Sequence, residues 1–446
     1  MSATLPPVTL PTTAPAATAL STEEKYARYV NTSFLKRLQP VVVERALGAR
    51  IEGTDGVSYI DCYAGIAVVN TGHCNPAVAE AAKAQIDKSI HMCSYVYYNQ
   101  PMGDLAEKVA EITPGRLRKS FFGNSGAEAV EGALRLARRA TGRHEFVALE
   151  TSFHGRTHGA LSVTGNSGRK KGAGPLMSGV HFMPAPYCYR CPFNTTPDKC
   201  QRECAGASLE RLLMFQTQGD VAGYLAEPVL GEGGIVVPPA DYFHIIKQVL
   251  DKHGILFLCD EVQTGFARTG KMFAIEHFGV EPDIMTMAKG IADGFPLGCF
   301  IARPEVADTF HPGDHLSTFG GNPVSCAAAV ANIDYIEGHD LCAESARKGD
   351  HALGRLRAMA ASHPMIGDVR GLGLMIGIEL VKDRGTKEPA GVEAGRIQDI
   401  MREHGVLIGV GGVFGNVVRF QPPLVITDAD LDQAIDIFER ALTAVA

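Results

Sequence analysis

Two residues carry the first chemical signal. An apolar run, Ile255-Leu256-Phe257-Leu258-Cys259, stops at Asp260 and Glu261. A second run, Ile284-Met285-Thr286-Met287-Ala288, stops at Lys289. A lysine amine condenses with an aldehyde, and a carboxylate set against an aromatic ring nitrogen keeps it protonated. Together the two groups suit pyridoxal phosphate (PLP), whose protonated ring is an electron sink. Alone, the lysine reads as a surface residue and the aspartate as a helix cap. Their shared position, each closing a short apolar run, makes them a pair.

Such runs, bounded by charge, read as buried parallel strands. In an open α/β sheet the ends of the strands are where ligands sit. Three further strands are expected at Leu117–Gly123, Glu145–Glu150 and Val221–Val229. The first runs through Asn124-Ser125-Gly126-Ala127-Glu128 into a helix over Ala127–Thr141. A turn of small residues from strand to helix leaves backbone N–H groups at the positive helix end, an anion site. By itself Ser-Gly-Ala is usually only an N-cap. The second strand leads to Ser152-Phe153-His154-Gly155-Arg156-Thr157. Here an aromatic ring can cover a cofactor face, and a guanidinium can clamp a carboxylate. The third carries Glu227 and Glu232, an acid pair on one loop.

The words Asp-Glu-Val-Gln-Thr-Gly-Phe (260–266) and Thr-Met-Ala-Lys-Gly-Ile (286–291) resemble those of the class III aminotransferases, which include 4-aminobutyrate, ornithine and alanine–glyoxylate aminotransferases. The resemblance runs over nearly all of the chain after about residue 25. It implies an α/β architecture, PLP fold type I. Residues 65–330 would form a large domain, with a mostly parallel seven-stranded sheet sandwiched by helices. Residues 22–64 and 331–446 would supply a smaller α+β domain from both chain ends, the first part opening with a helix from 22 to Pro40.

The resemblance also assigns roles. Lys289 would hold PLP and shuttle the proton, and Asp260 would hold the ring nitrogen. The phosphate would lie on Ser125, Gly126 and Ala127. Phe153 and Val262 would cover the two ring faces. Gln263 would bond the phenolic oxygen, and Glu227 would support the site from behind. His154 is counted with the cofactor contacts, since Lys289 is the better proton shuttle. Thr318 would reach the phosphate of a neighbouring subunit, which implies a homodimer or a dimer of dimers with active sites at the interface.

For the substrate, the resemblance points to Ile66, Arg156, Glu232 and Arg419. Isoleucine at position 66 matches the 4-aminobutyrate enzymes, and Arg156 would take a distal carboxylate. Glu232 would neutralise Arg419 when an ω-amine donor binds, and release it to the α-carboxylate of 2-oxoglutarate. The expected activity is therefore ping-pong transfer from an ω-amino acid of the 4-aminobutyrate type to 2-oxoglutarate. Thr-Phe-Gly-Gly-Asn-Pro (318–323) and a cysteine-bearing loop at 187–205 keep two alternatives open: an α-amino-acid transaminase of the alanine–glyoxylate type, or an amino-acid racemase.

Composition narrows the class. The chain has 446 residues, enough for two domains around one site. A net charge of −7 argues against nucleic acid as the main partner. No apolar run is long enough to span a bilayer. Residues 1–21, rich in Ala, Pro and Thr, read as a disordered leader without a secretory signal. Eleven dispersed cysteines fit free thiols in a reducing cytoplasm. Cys188, Cys191, Cys200 and Cys204 have spacing near that of a zinc knuckle and can also pair or stay free. The expectation is a structural insert without metal.

Overall fold

The structure is a computed structural model that describes residues 20–31, 38–196 and 199–445. Its centre is a seven-stranded sheet in the order Lys119–Gly123, Gly298–Ala302, Ile284–Met287, Leu256–Asp260, Val221–Ala226, Glu145–Leu149, Val180–Met183. Gly298–Ala302 runs antiparallel to both neighbours, and the other pairings are parallel. The mostly parallel sheet expected from the apolar runs is present.

Both faces of this sheet are buried, and the side chains alternate between two cores. Phe146, Ala148, Leu225 and Leu258 point to one side, against Val130, Leu134 and Ala137 of the helix Gly126–Thr141. Val147, Leu149, Tyr224, Ala226 and Phe257 point to the other, against the helix Tyr242–His253. On that side the Phe243 and Phe257 rings stack at 5.6 Å, and the Tyr224 and Tyr242 hydroxyls meet at 3.0 Å. The period of two along each strand, covered on both sides by helices, is why these strands read as unbroken apolar runs.

A second seven-stranded sheet is drawn from both ends of the chain. Its order is Val43–Leu47, Arg50–Gly53, Ser58–Cys62, Val406–Gly411, Val417–Phe420, Met375–Leu380, Ile366–Leu372. Only the pairing of Ser58–Cys62 with Val406–Gly411 is parallel. That contact joins an N-terminal strand to the C-terminal segment. The buried Arg268 ties the two sheets together, donating to Asn70 Oδ1 (2.6 Å) and to the carbonyls of Leu374 (3.1 Å) and Pro422.

The first helix is shorter than expected. It spans Thr22–Tyr29, capped by Ser21 and closed by extended backbone at Val30. None of its residues is buried, so no core contact exists to prolong it. Residues 1–19 of the expected leader, and 32–37, lie outside the described residues.

Candidate active site

Strand ends of both sheets meet at one cavity of about 470 Å³. Asp260 is the last residue of its strand, and the adjacent strand pairs Thr286 with it. Three residues beyond Thr286, Lys289 opens a tight turn with φ of +47°. Asn332, on the helix Pro323–Gly338, donates to the carbonyls of Gly290 (2.8 Å) and Ile291 (3.1 Å) and so grips that turn. The Asn332 side-chain oxygen accepts the Thr71 hydroxyl at 2.9 Å. Burial pulls the Lys289 ammonium below the usual lysine range, with Asp260 and Glu227 opposing. An amine more readily deprotonated suits both condensation and proton transfer.

Asp260 is almost fully buried and held on both oxygens. Oδ2 lies 2.6 Å from His154 Nδ1. Oδ1 accepts the Val262 N–H (3.0 Å) and the Thr286 hydroxyl (3.2 Å). Glu227 sits one layer behind. It accepts N–H groups from Phe153 (2.9 Å) and Gly231 (2.8 Å), fixing the two loops that flank the cavity. Burial pushes its carboxyl up to about 7, with His154 opposing and Asp260 adding.

Ser125 is the N-cap of the helix Gly126–Thr141, its hydroxyl accepting the Glu128 N–H at 3.2 Å. Ser125 lines the cavity beside the first N–H groups of the helix, which have no partner within the helix. Gly126 is required there, since a Cβ would meet Val262 at 2.8 Å. Ala127, Val262, Phe153 and Gln263 complete this wall. The Gln263 side-chain oxygen and His154 Nε2 are buried without a partner among the described residues. An amine, a buried carboxylate, a helix N-terminus and an unmatched amide fit the aldehyde, ring nitrogen, phosphate and phenolic oxygen of PLP.

The substrate side holds the guanidiniums of Arg156, Arg169 and Arg419. Arg156 is exposed at the rim, its guanidinium 5.5 Å from the Phe153 ring centre. Ile66 also lines the cavity, 41% exposed, within a left-handed turn in which Ala64, Gly65, Ile66 and Ala67 all have positive φ. Arg419 is buried; its Nη2 donates to the Tyr63 hydroxyl at 3.0 Å and its Nε has no partner among the described residues. Gly409 and Gly411 leave the room: a Cβ would strike the Tyr63 ring at 2.2 Å and the Arg419 guanidinium at 2.8 Å.

One expected pairing differs in the structure. Glu232 does not pair with Arg419. It accepts from Arg169 Nε at 2.5 Å and Asn166 Nδ2 at 3.3 Å, while Arg419 turns to Tyr63. A nearer guanidinium satisfies the carboxylate. Thr318 lies outside the cavity of its own chain, exposed on a loop between Leu316 and Phe319, and its expected contact is with the phosphate of a neighbouring subunit. On the same loop, the Ser317 hydroxyl accepts Asn124 Nδ2 at 3.4 Å.

Tyr63, Asn124 and Arg169 went unrecognised from the sequence. Tyr63 follows a strand, the same signal that marks Asp260. Arg169 lies in the run Arg169-Lys170-Lys171, which reads as a solvated patch. In the cysteine loop all four thiols are free, and Cys204 is buried. Among the described residues no three His, Cys, Asp or Glu side chains are grouped to hold a metal.

Comparison with known proteins agrees with this geometry. The class-III aminotransferase family model matches residues 34–442. A leucine/methionine racemase of Thermococcus litoralis is 41% identical, covering 95% of each chain. An acetylornithine aminotransferase of Methanosarcina mazei is 42% identical over 94% of this chain and 95% of its own. Alanine–glyoxylate aminotransferase 2 homolog 2 of Arabidopsis thaliana is 41% identical over 87% and 80%. A solved Bacillus anthracis aminotransferase superposes with a TM-score of 0.88 at 32% identity, covering 96% of this chain and all of that one. Fold, cofactor cradle and relatives converge: the chain belongs to the class III aminotransferases and is a PLP-dependent transaminase of fold type I.

Proposed function

We propose that the chain moves the amino group of an ω-amino acid of the 4-aminobutyrate type to 2-oxoglutarate. One observation carries this reading. Among the described residues, Arg156 and Arg419 face the same cavity without a carboxylate partner. Two separated guanidiniums suit a five-carbon dicarboxylate, its α-carboxylate on Arg419 and its far carboxylate on Arg156. An ω-amino donor uses Arg156 alone.

When bound, PLP supplies the aldehyde that captures the amine and the ring that accepts the electron pair. Lys289 Nζ would take the proton from the donor carbon and return it. Asp260, fixed by His154, Val262 and Thr286, would hold the ring-nitrogen proton. Gln263 would hold the phenolic oxygen, and the helix N-terminus at Ser125 the phosphate. Phe153 and Val262 would cover the ring. Thr318, exposed beside Leu316 and Phe319, is assigned to the phosphate site of a second copy. The exposed Ile90, Val96 and Tyr97 near it support a homodimer or a dimer of dimers. The Phe319 and His91 rings, 5.1 Å apart, join these two segments into one patch. Eleven free thiols support a cytoplasmic location.

A second reading, an α-amino-acid transaminase or racemase, is favoured by one specific feature. Glu232 is bound elsewhere, so Arg419 already stands open to an α-carboxylate. The names of the relatives, a racemase and an alanine–glyoxylate enzyme, run the same way. A panel of amino donors with 2-oxoglutarate, pyruvate or glyoxylate, plus chiral analysis of each amino acid alone, separates the two. Turnover of 4-aminobutyrate with 2-oxoglutarate, weakened in Arg156→Ala, supports the first. Loss of optical purity without ω-amine turnover hands the site to the second.

A further inference from the structure

Glu232 lies between two guanidiniums and has taken one of them. Its side chain is held by Arg169 at 2.5 Å and Asn166 at 3.3 Å. Its backbone carbonyl accepts the Gly412 N–H at 3.2 Å, and the neighbouring Gly411 is the residue against which the Arg419 guanidinium packs. The acid and Arg419 are thus anchored on touching pieces of backbone and line the same cavity. Even so, Arg419 keeps a buried Nε without a partner among the described residues. A buried cation beside a free carboxylate would draw it in, because an unpaired buried charge is costly. The carboxylate is not free: Arg169 holds it.

We propose that Arg169 is a specificity-determining residue: by holding Glu232 it keeps Arg419 open to a carboxylate on the reacting carbon. This rests on the reading of Arg419 as a carboxylate anchor. The Arg169 side chain is 38% exposed, so the pair is screened and adds little to stability. Its effect is on where Glu232 points. With Arg169 in place, 2-oxoglutarate, glutamate and α-amino acids meet an unmasked Arg419. Without it, Glu232 turns to Arg419 and masks it. The masked cavity suits a donor that has only hydrogens at that position.

The test uses the holoenzyme with 2-oxoglutarate and an ω-amino donor. In Arg169→Gln, KM for 2-oxoglutarate is expected to rise about tenfold, the loss of one charge-assisted contact. KM for the ω-amino donor falls. Glutarate binding, read from the change in cofactor absorbance, weakens by the same factor as 2-oxoglutarate. The double variant Arg169→Gln/Glu232→Gln regains the parental KM for 2-oxoglutarate, because the competing charge is gone. An unchanged KM in Arg169→Gln overturns the proposal. So does a double variant as weak as the single one, since Arg169 would then touch the substrate itself. A parent enzyme that binds neither 2-oxoglutarate nor glutarate removes the underlying reading, and that failure is visible before any variant is made.

Discussion

The imidazole of His154 meets the carboxylate of Asp260 at 2.6 Å, both side chains being buried. The other carboxylate oxygen is taken by Val262 and Thr286, so Asp260 cannot turn. The sequence groups His154 with the cofactor contacts; the geometry makes it act through Asp260. His154→Ala is expected to retain PLP and to lose about 10- to 100-fold in kcat, the usual cost of removing such a support. Steady-state rates beside a cofactor titration check this, and an unchanged kcat contradicts it.

Among the described residues, Lys289 is the one amine on the cavity wall. Lys289→Ala is expected to lose the visible absorbance of the lysine–cofactor linkage and about 10²- to 10⁴-fold or more in rate. A spectrum of the purified variant decides it. A retained visible band would place the linkage on another residue.

Asn332 fastens the turn that aims Lys289, a backbone with φ of +47° that a lysine does not favour. Asn332→Ala leaves two buried carbonyls short of a donor and costs about 1–3 kcal/mol. It is expected to slow reaction of the enzyme's own Lys289 with added PLP. Asn332→Asp, which keeps the shape but not the donors, should behave the same way. Full-rate reconstitution in both variants would reduce Asn332 to a packing residue.

Burial raises the Glu227 carboxyl from 4.5 to about 7. The folded state therefore binds its proton more tightly than the unfolded chain. Its contribution is fully present below pH 4.5 and is lost as pH rises through about 7. Glu227→Gln is expected to flatten that part of the stability profile. Urea midpoints of the cofactor-free protein at several pH values between those limits measure it. A parent and variant with parallel profiles would rule out Glu227 as the source.

Burial, then the neighbouring Cys188, Cys200 and Cys191, push the Cys204 thiol up to about 12. Among the described residues the four side chains are not grouped to hold a metal. Elemental analysis of the purified protein is expected to show no stoichiometric zinc. One zinc per chain would make the loop at 187–205 a metal site.

Much of this site is legible along the chain because each strand delivers its last residue to one edge. Asp260, Lys289, Glu227 and Phe153 all follow apolar runs, and alternation along those runs buries both faces. The helix from residue 22 is misjudged in length because its end depends on contacts it does not make. Arg169 is missed because three successive basic residues look alike from solvent.

From the sequence alone come the chemical groups at the site: local periodicity fixes where a strand stops, and the stopping residue is written there. The choice of partner among those groups comes from the folded chain. Glu232 has an arginine before it at 169 and another after it at 419, and nothing local ranks them. Only the placement of two loops, with glycines giving Tyr63 and Arg419 room to meet, puts the first guanidinium within reach and turns the second aside. Ion pairing falls off with distance through space, and that distance exists only after folding.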